Sequence, residues 1–275
     1  MIRNLLLTGG DRRTLEMEKL LVQDGFAVDT LGLHEGDERT VQFEKADAVL
    51  FAYPFSVRDG CVPSVSGLSI HPEDVIAKCN PDALVLAGRG LEPEDVHKRV
   101  FRSYMEDKEL EERNAQISAE AAVCEAMQRT ALALMDQTVL VTGYGRFARA
   151  LAKRLRSLGA EVWIAARRAE QRLVAECDGM HAVSMEEMRD VLGRMHMVFN
   201  TVPAQVMGER ELQALPRGAW ILELASAPYG FDRKMVVQMG LNCEVLPSLP
   251  ARYAPISAGM ALKDAAVRLI READV

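Results

Sequence analysis

Paired cysteines are missing: the five thiols, at 61, 79, 124, 177 and 243, are scattered and never form a CxxC unit. That pattern speaks against a disulfide framework and against structural zinc, and it fits reduced thiols in a cytosolic protein. Long apolar runs are missing too, since none approaches the roughly 20 residues that span a bilayer. The opening MIRNLLLTGGDRR stops being apolar at Gly-Gly-Asp, too soon for a signal segment, so a soluble, cytoplasmic protein is expected. Nor is there a surplus of positive charge. Lys and Arg number 33 against 40 Asp and Glu, for a formal charge of −7 with both signs intermixed, so neither nucleic acid nor a membrane is expected as a partner. No metal site is expected, and no repeat or low-complexity segment interrupts the chain.

What remains is the pattern of an α/β protein. Strand-length apolar runs at about 3–8, 26–31, 47–52 and 82–87 alternate with helical patterns at about 12–23, 72–78 and 93–100, and EDKELEER (106–113) reads as a solvated helix surface. A long helix is predicted over about 118–134, with Ser118 as its N-cap and Glu120 in its first turn. A second series of strands follows at about 138–142, 161–166, 181–183, 196–201, 219–225 and 242–246. After Pro247, Pro250 and Pro255, a last amphipathic helix is predicted from Ser257. The fold class is therefore α/β with two Rossmann-like parallel-sheet domains, the C-terminal one doubly wound and NAD(P)-binding. The expected division is 1–117 plus the C-terminal helix 251–275 as substrate domain, and 118–250 as linking helix and nucleotide domain.

The strongest motif is TVLVTGYGRFARALAKRLRSLGA. Gly143, Gly145 and Ala148 supply G-x-G-x-x-A between an apolar strand and a helix that closes at Gly159. The first glycine permits the tight turn, the second lets the backbone approach a pyrophosphate, and the small third residue lets helix and strand pack closely. Tyr144, Arg146 and Phe147 complete the turn, and the free N–H groups of the helix start face the phosphates. About 20 residues on, where an acidic side chain would hold the ribose of NAD, the chain has Ala165 and Ala166 followed by Arg167 and Arg168. Two cations and no carboxylate favour NADP(H), with NAD(H) left open. Further cofactor contacts are expected from FNTVPA and LELASAPYGFD, at Asn200, Thr201, Val202, Pro203 and Ser226, because α/β folds bind ligands beyond strand C-termini.

With these residues goes a wider likeness. The stretches TGGDRR, ADAVLFAYP, RSYMEDKELEERNAQISAEAA, VLVTGYGRFA, FNTVPAQV, LELASAPYGFD and LPSLPARYAPISAG, in this order, resemble the family of A-type subunits of dipicolinate synthase over nearly the whole chain. The resemblance implies oxidation of dihydrodipicolinate, a dihydropyridine dicarboxylate, to dipicolinate with reduction of NADP⁺ during sporulation. It also implies a partner, the flavoprotein-like B-type subunit of dipicolinate synthase. It departs at Ala251, where the family has Gly, and at Ile256, where it has Lys.

A small dicarboxylate needs Arg or N–H donors for each carboxylate and a base for the departing proton. Arg12 and Arg13, in the Gly-Gly-Asp-Arg-Arg turn, are candidates for one carboxylate. Arg58, Arg89 and Arg252 are the other cations expected to face a cleft between the domains. Tyr104, Glu120 and Asp11 are the candidate bases. Histidines 34, 71, 97, 181 and 196 are dispersed, and none lies beyond the nucleotide domain, where 2-hydroxyacid dehydrogenases of similar layout place theirs. A dehydrogenase of another small amino or keto acid stays open, as do a homodimer and a catalytically weak, regulatory NADP-binding protein.

Overall fold

The protein is described by a computed structural model that covers residues 2–53, 60–89, 91, 93–96 and 99–273. By internal packing the chain divides into two compact units, Met1–Asn114 with Pro250–Val275, and Ala115–Leu249.

The first unit starts with β1 (Asn4–Thr8), α1 (Arg12–Gln23), β2 (Ala27–Leu31) and β3 (Ala48–Phe51), and continues through α2 (Pro72–Lys78) to β4 (Leu84–Ala87) and β5 (Phe101–Ser103). All five strands are parallel, in the order β2-β1-β3-β4-β5. The runs LLL of β1, AVLF of β3 and LVLA of β4 are buried throughout, as strands covered on both faces must be. Where a helix was expected over 93–100, a single turn of 3-10 helix (Pro93–Val96) precedes β5. Three half-buried residues are too short a strand to show a period of two in the sequence.

Helix α3 (Lys108–Gln128) begins ten residues ahead of Ser118. Asp107 accepts the N–H of Leu110 at 2.8 Å and so caps the first turn, and the Glu-, Lys-, Leu- and Arg-rich stretch behind it consists of good helix formers. Ser118 is therefore a buried residue inside the helix, not its cap, and Glu120 is not in a first turn. The division between the units passes through α3.

The second unit holds β6 (Thr138–Thr142), α4 (Arg146–Ser157), β7 (Glu161–Ala165), α5 (Ala169–Cys177), β8 (His181–Val183), α6 (Met188–Leu192), β9 (Met197–Asn200), α7 (Glu209–Ala214), β10 (Trp220–Glu223), α8 (Arg233–Gln238) and β11 (Asn242–Val245). Its six strands are parallel, in the order β11-β10-β9-β6-β7-β8. This is the doubly wound arrangement, with the order reversing between β6 and β9. The Pro-containing stretch that follows forms a short helix, α9 (Leu249–Tyr253), and α10 (Pro255–Ala273) starts two residues before Ser257, Pro255 taking the first-turn position that suits a residue without an N–H. Among the described residues no helix is long and apolar enough to cross a membrane.

Helix α10 closes the core of the first unit. Ala261, Leu262, Ala265, Ala266, Leu269 and Ile270 pack with Met17 and Leu21 of α1 and with the strands. Arg268 of α10 also grips Asp107, Nε and Nη2 donating to the two carboxylate oxygens at 2.8 and 3.0 Å. The crossing with α1 is tight at Gly259, where an added Cβ would lie 2.8 Å from the Arg13 carbonyl oxygen and 2.7 Å from Glu16 Cβ. In an open helix Gly→Ala gains about 1 kcal/mol. Here the methyl meets backbone, and overpacking costs about 1–3 kcal/mol. Gly259→Ala is therefore expected to lower the urea midpoint, and an unchanged or raised midpoint would show that the two helices can separate freely.

Candidate dinucleotide and substrate sites

Strand β6 ends at Thr142, and the chain turns at Gly143 with φ +78°, a left-handed conformation that suits glycine. A Cβ there would also crowd Val202 Cγ2 and Thr201 Oγ1, at 3.0 and 3.1 Å. Gly145 caps α4 and is open: a Cβ at this position would meet nothing within 4 Å. Ala148 is buried against the sheet, so the helix start sits close over the strand end. An approachable backbone at a helix N-terminus is what a pyrophosphate requires, and the residues present fit one. Arg146 and Phe147 open α4 at this edge, Arg146 exposed and Phe147 half-buried.

Behind the turn lies a charged cluster. The Tyr144 hydroxyl donates to Asp178 Oδ2 at 2.8 Å, and the same carboxylate receives Arg149 Nε at 2.8 Å and pairs with Lys153 at 3.1 Å. Burial pushes the Asp178 pKa up, but hydrogen bonds from Arg149, Tyr144 and Lys153 outweigh it and hold the group at about 2. Burial and the neighbouring carboxylate raise the Tyr144 phenol well above its ordinary value. The Tyr144 side chain is thus directed inward to Asp178, and its backbone remains part of the glycine turn.

At the end of β7, Ala165 and Ala166 are fully buried and Arg167 and Arg168 are exposed. Arg172 of α5 donates to the carbonyls of Ala166 and Arg167 at 2.9 and 3.0 Å, fixing the backbone that carries the two cations.

The loops after β9 and β10 are joined by a buried polar network. Thr142 Oγ1 donates to Asn200 Oδ1 at 2.5 Å, and Asn200 Nδ2 donates to the Val202 carbonyl at 2.9 Å and to Glu223 Oε1 at 2.7 Å. Glu223 also accepts the N–H groups of Ala225 at 3.0 Å and Gly230 at 2.7 Å. Burial raises the Glu223 pKa, and the Gly230, Asn200 and Ala225 donors pull it back without cancelling the rise. Asn200, fully buried and hydrogen-bonded at both ends of its amide, is scaffold and not a side-chain contact to a ligand, contrary to the sequence expectation. Thr201, Val202, Pro203 and Ser226 lie around it, with Thr201 Oγ1 donating to the Thr142 carbonyl at 2.6 Å, Pro203 and Ser226 exposed and the other two half-buried. Sequence reasoning passed over Thr142 and Glu223. The signal was there: polar residues closing two otherwise apolar strands, β6 and β10, where burial exacts a cost unless a partner is present.

In the first unit the turn after β1 sits where the strand order reverses between β1 and β3, the ligand-binding place of such sheets. Asp11 caps α1, accepting the Arg13 N–H at 3.0 Å, and Arg13 Nε and Nη2 return to the same carboxylate at 2.9 and 2.6 Å. Arg13 is buried and Asp11 half-buried, and the pairing engages the Arg13 guanidinium and both Asp11 oxygens with each other. Arg12 is exposed beside it. Arg89 is exposed just beyond β4, and Arg252 is exposed on α9 with its guanidinium 5.6 Å from the Tyr253 ring. Arg58 lies outside the described residues. Tyr104 is fully buried beside Tyr53, with ring centroids 5.7 Å apart, and burial drives its pKa far up, so it is a core residue and not a base. Glu120, largely exposed within α3, pairs with Arg154 at 3.1 Å in the second unit. No described cluster of His, Cys, Asp or Glu is placed to hold a metal ion.

Comparison with known proteins agrees with this geometry. Residues 106–236 match the family described as D-isomer specific 2-hydroxyacid dehydrogenase, NAD binding domain. Over 284 aligned residues the chain is 22% identical to the A-type subunit of dipicolinate synthase from Bacillus subtilis (strain 168), covering 98% of this chain and 96% of the relative. The crystal structure of the corresponding protein from Bacillus halodurans superposes with a TM-score of 0.87 at 26% identity, over 97% of each chain. The crystal structure of the Bacillus subtilis protein superposes at 0.85 and 22% identity, over 99% of this chain and 97% of that one. The chain is similar to the A-type subunit of dipicolinate synthase from end to end. Its second unit is a Rossmann-like NAD(P)-binding domain, and its fold is that of a dehydrogenase.

The Asp178 cluster has a testable pH signature. Its folded pKa, about 2, lies below the ordinary 3.8, so the stability it contributes is present above 3.8 and is lost as pH falls towards 2. Asp178→Asn is expected to lower Tm at neutral pH and to flatten the fall of Tm across that acid window, as read by thermal melts over a pH series.

Proposed function

We propose that this chain is an NADP-dependent oxidoreductase that converts dihydrodipicolinate to dipicolinate in the cytoplasm of sporulating cells, working with a partner like the flavoprotein-like B-type subunit of dipicolinate synthase. The observation that carries this reading is the end-to-end likeness to the A-type subunit of that synthase, at a TM-score of 0.87. The dinucleotide, when bound, supplies the hydride acceptor. Loss of one hydride and one proton from the dihydropyridine ring gives the aromatic diacid, so the chemistry is downhill and positioning matters more than a strong base.

Gly143, Gly145, Ala148 and the backbone of Tyr144 receive the pyrophosphate at the start of α4, and Arg167 and Arg168 receive the 2′-phosphate. Arg12, Arg89 and Arg252 are the cations assigned to the substrate carboxylates. Arg12 is the first of these: a cation at a helix N-terminus opposes the helix dipole, so it does not serve helix stability. The absence of a histidine beyond residue 196 argues against 2-hydroxyacid chemistry in spite of the family match of the nucleotide domain.

Turnover is tested by mixing the purified chain with enzymatically generated dihydrodipicolinate and NADP⁺, with and without the partner protein, and following NADPH absorbance. NADPH formation is expected. Cofactor binding without turnover in either mixture would leave a regulatory NADP-binding protein instead. Arg12→Ala with unchanged turnover would remove that residue from the substrate site. The double substitution Arg167→Ala, Arg168→Ala is expected to weaken NADP⁺ about tenfold or more, through loss of charge-assisted hydrogen bonds, and to leave NAD⁺ affinity nearly unchanged in calorimetric titrations.

A further inference from the structure

We propose that Glu223 is a positioning residue for the nicotinamide half of the dinucleotide, its buried carboxylate locking the loops after β9 and β10 into one rim against the Gly143 turn. The proposal rests on the nucleotide-binding character of the second unit and not on the identity of the substrate.

Three observations carry it. Glu223 is fully buried at the C-terminal end of β10, and its three hydrogen-bond partners, Asn200 Nδ2 and the N–H groups of Ala225 and Gly230, are all neutral donors. The two carboxyl oxygens accept all three, with no cation among the partners. Burying a carboxyl there is costly, and a sheet end needs no such device for stability alone.

The partners also come from separate loops. Gly230 belongs to the loop after β10, yet its carbonyl accepts the N–H groups of Val206 and Met207 from the loop after β9, both at 2.9 Å. A Cβ on Gly230 would lie 2.4 Å from Asn200 Nδ2, so the two loops meet with no slack. Through Asn200 and Thr142 the same network reaches the strand that enters the glycine turn.

Finally, apart from Thr142 on β6, the network belongs to β9, β10 and their loops, on one half of the sheet. In a doubly wound domain the two halves each take one mononucleotide, and the glycine turn and the end of the second strand serve the adenosine side. The backbone beyond β7 that carries Arg167 and Arg168 is held by Arg172. Loss of Glu223 should therefore disturb one half of the ligand and spare the other.

The test uses Glu223→Gln in the full chain. Glutamine keeps the shape and one acceptor for Asn200 and Ala225, but turns an NH₂ group towards the Gly230 N–H. Calorimetry compares NADP⁺ with 2′-phospho-ADP-ribose, which lacks nicotinamide; NAD⁺ and ADP-ribose replace them if the wild type takes the unphosphorylated pair. The dinucleotide Kd is expected to rise about tenfold, and that of the fragment to change less than about twofold. The fluorescence of bound reduced cofactor, which reports a rigid nicotinamide, should fall in parallel.

Equal weakening of both ligands, or of neither, would overturn the proposal. If Glu223→Gln does not fold, Asn200→Ser decides: it removes the amide that donates to Glu223 from β9, and the same selectivity for the nicotinamide-bearing ligand is expected, with equal effects again overturning the role. A wild type that binds neither dinucleotide would overturn the nucleotide reading itself.

Discussion

Between β6 and β9 the second sheet reverses its strand order, and the chains leaving these neighbours run to opposite faces. At such a reversal α/β sheets open a crevice for ligands. In this protein the strand ends there are tied by the hydrogen bond from Thr201 to the Thr142 carbonyl and by a buried one from Thr142 to Asn200. Asn200 then uses its remaining capacity to hold the backbone at Val202 and the carboxylate of Glu223, which in turn holds the next loop. The glycine turn, the two loops and the end of β10 thus share a single rigid reference. Broken at any one member, the network would leave a buried polar group unsatisfied, so it behaves as a unit.

The two units handle charge in the same way. In the second, Arg149 and Lys153 converge on Asp178 behind the glycine turn, and the open backbone in front is left to act through its N–H groups. Arg167 and Arg168, by contrast, are carried outward on a braced backbone. In the first unit Arg13 and Asp11 cancel each other within the cap of α1, and Arg12 is left exposed next to them. Two adjacent arginines in the sequence therefore have different fates, one structural and one available to an anion.

Much of the fold was legible because parallel strands buried on both faces give runs such as LLL, AVLF and LVLA, and because glycine at 143 and 145 between strand and helix admits few other structures. Two features resisted. The start of α3 was misplaced because Ser118 looks like a cap in sequence, whereas Asp107 performs that role with help from Arg268, 161 residues away. Strand β5 was missed because only its pairing with β4 makes it a strand. In the candidate sites, residue types were legible but commitments were not: Tyr104 is sealed in the core, Tyr144 is turned towards Asp178, and Asn200 is spent on its neighbours. Each outcome depends on tertiary partners distant in sequence.

The closing of the first core by α10 has a consequence for how the chain is made. Residues 115–249 form a unit from one continuous stretch, complete as soon as that stretch has left the ribosome. The unit that begins earlier must wait, because Leu262, Leu269 and Ile270, which fill its core against α1, are synthesised only after the whole of that stretch. The usual order of vectorial folding, N-terminal domain first, is therefore inverted. Until α10 has been made the apolar face of α1 stays uncovered, and a nascent chain in that state would be the natural target of chaperones that recognise exposed apolar surface.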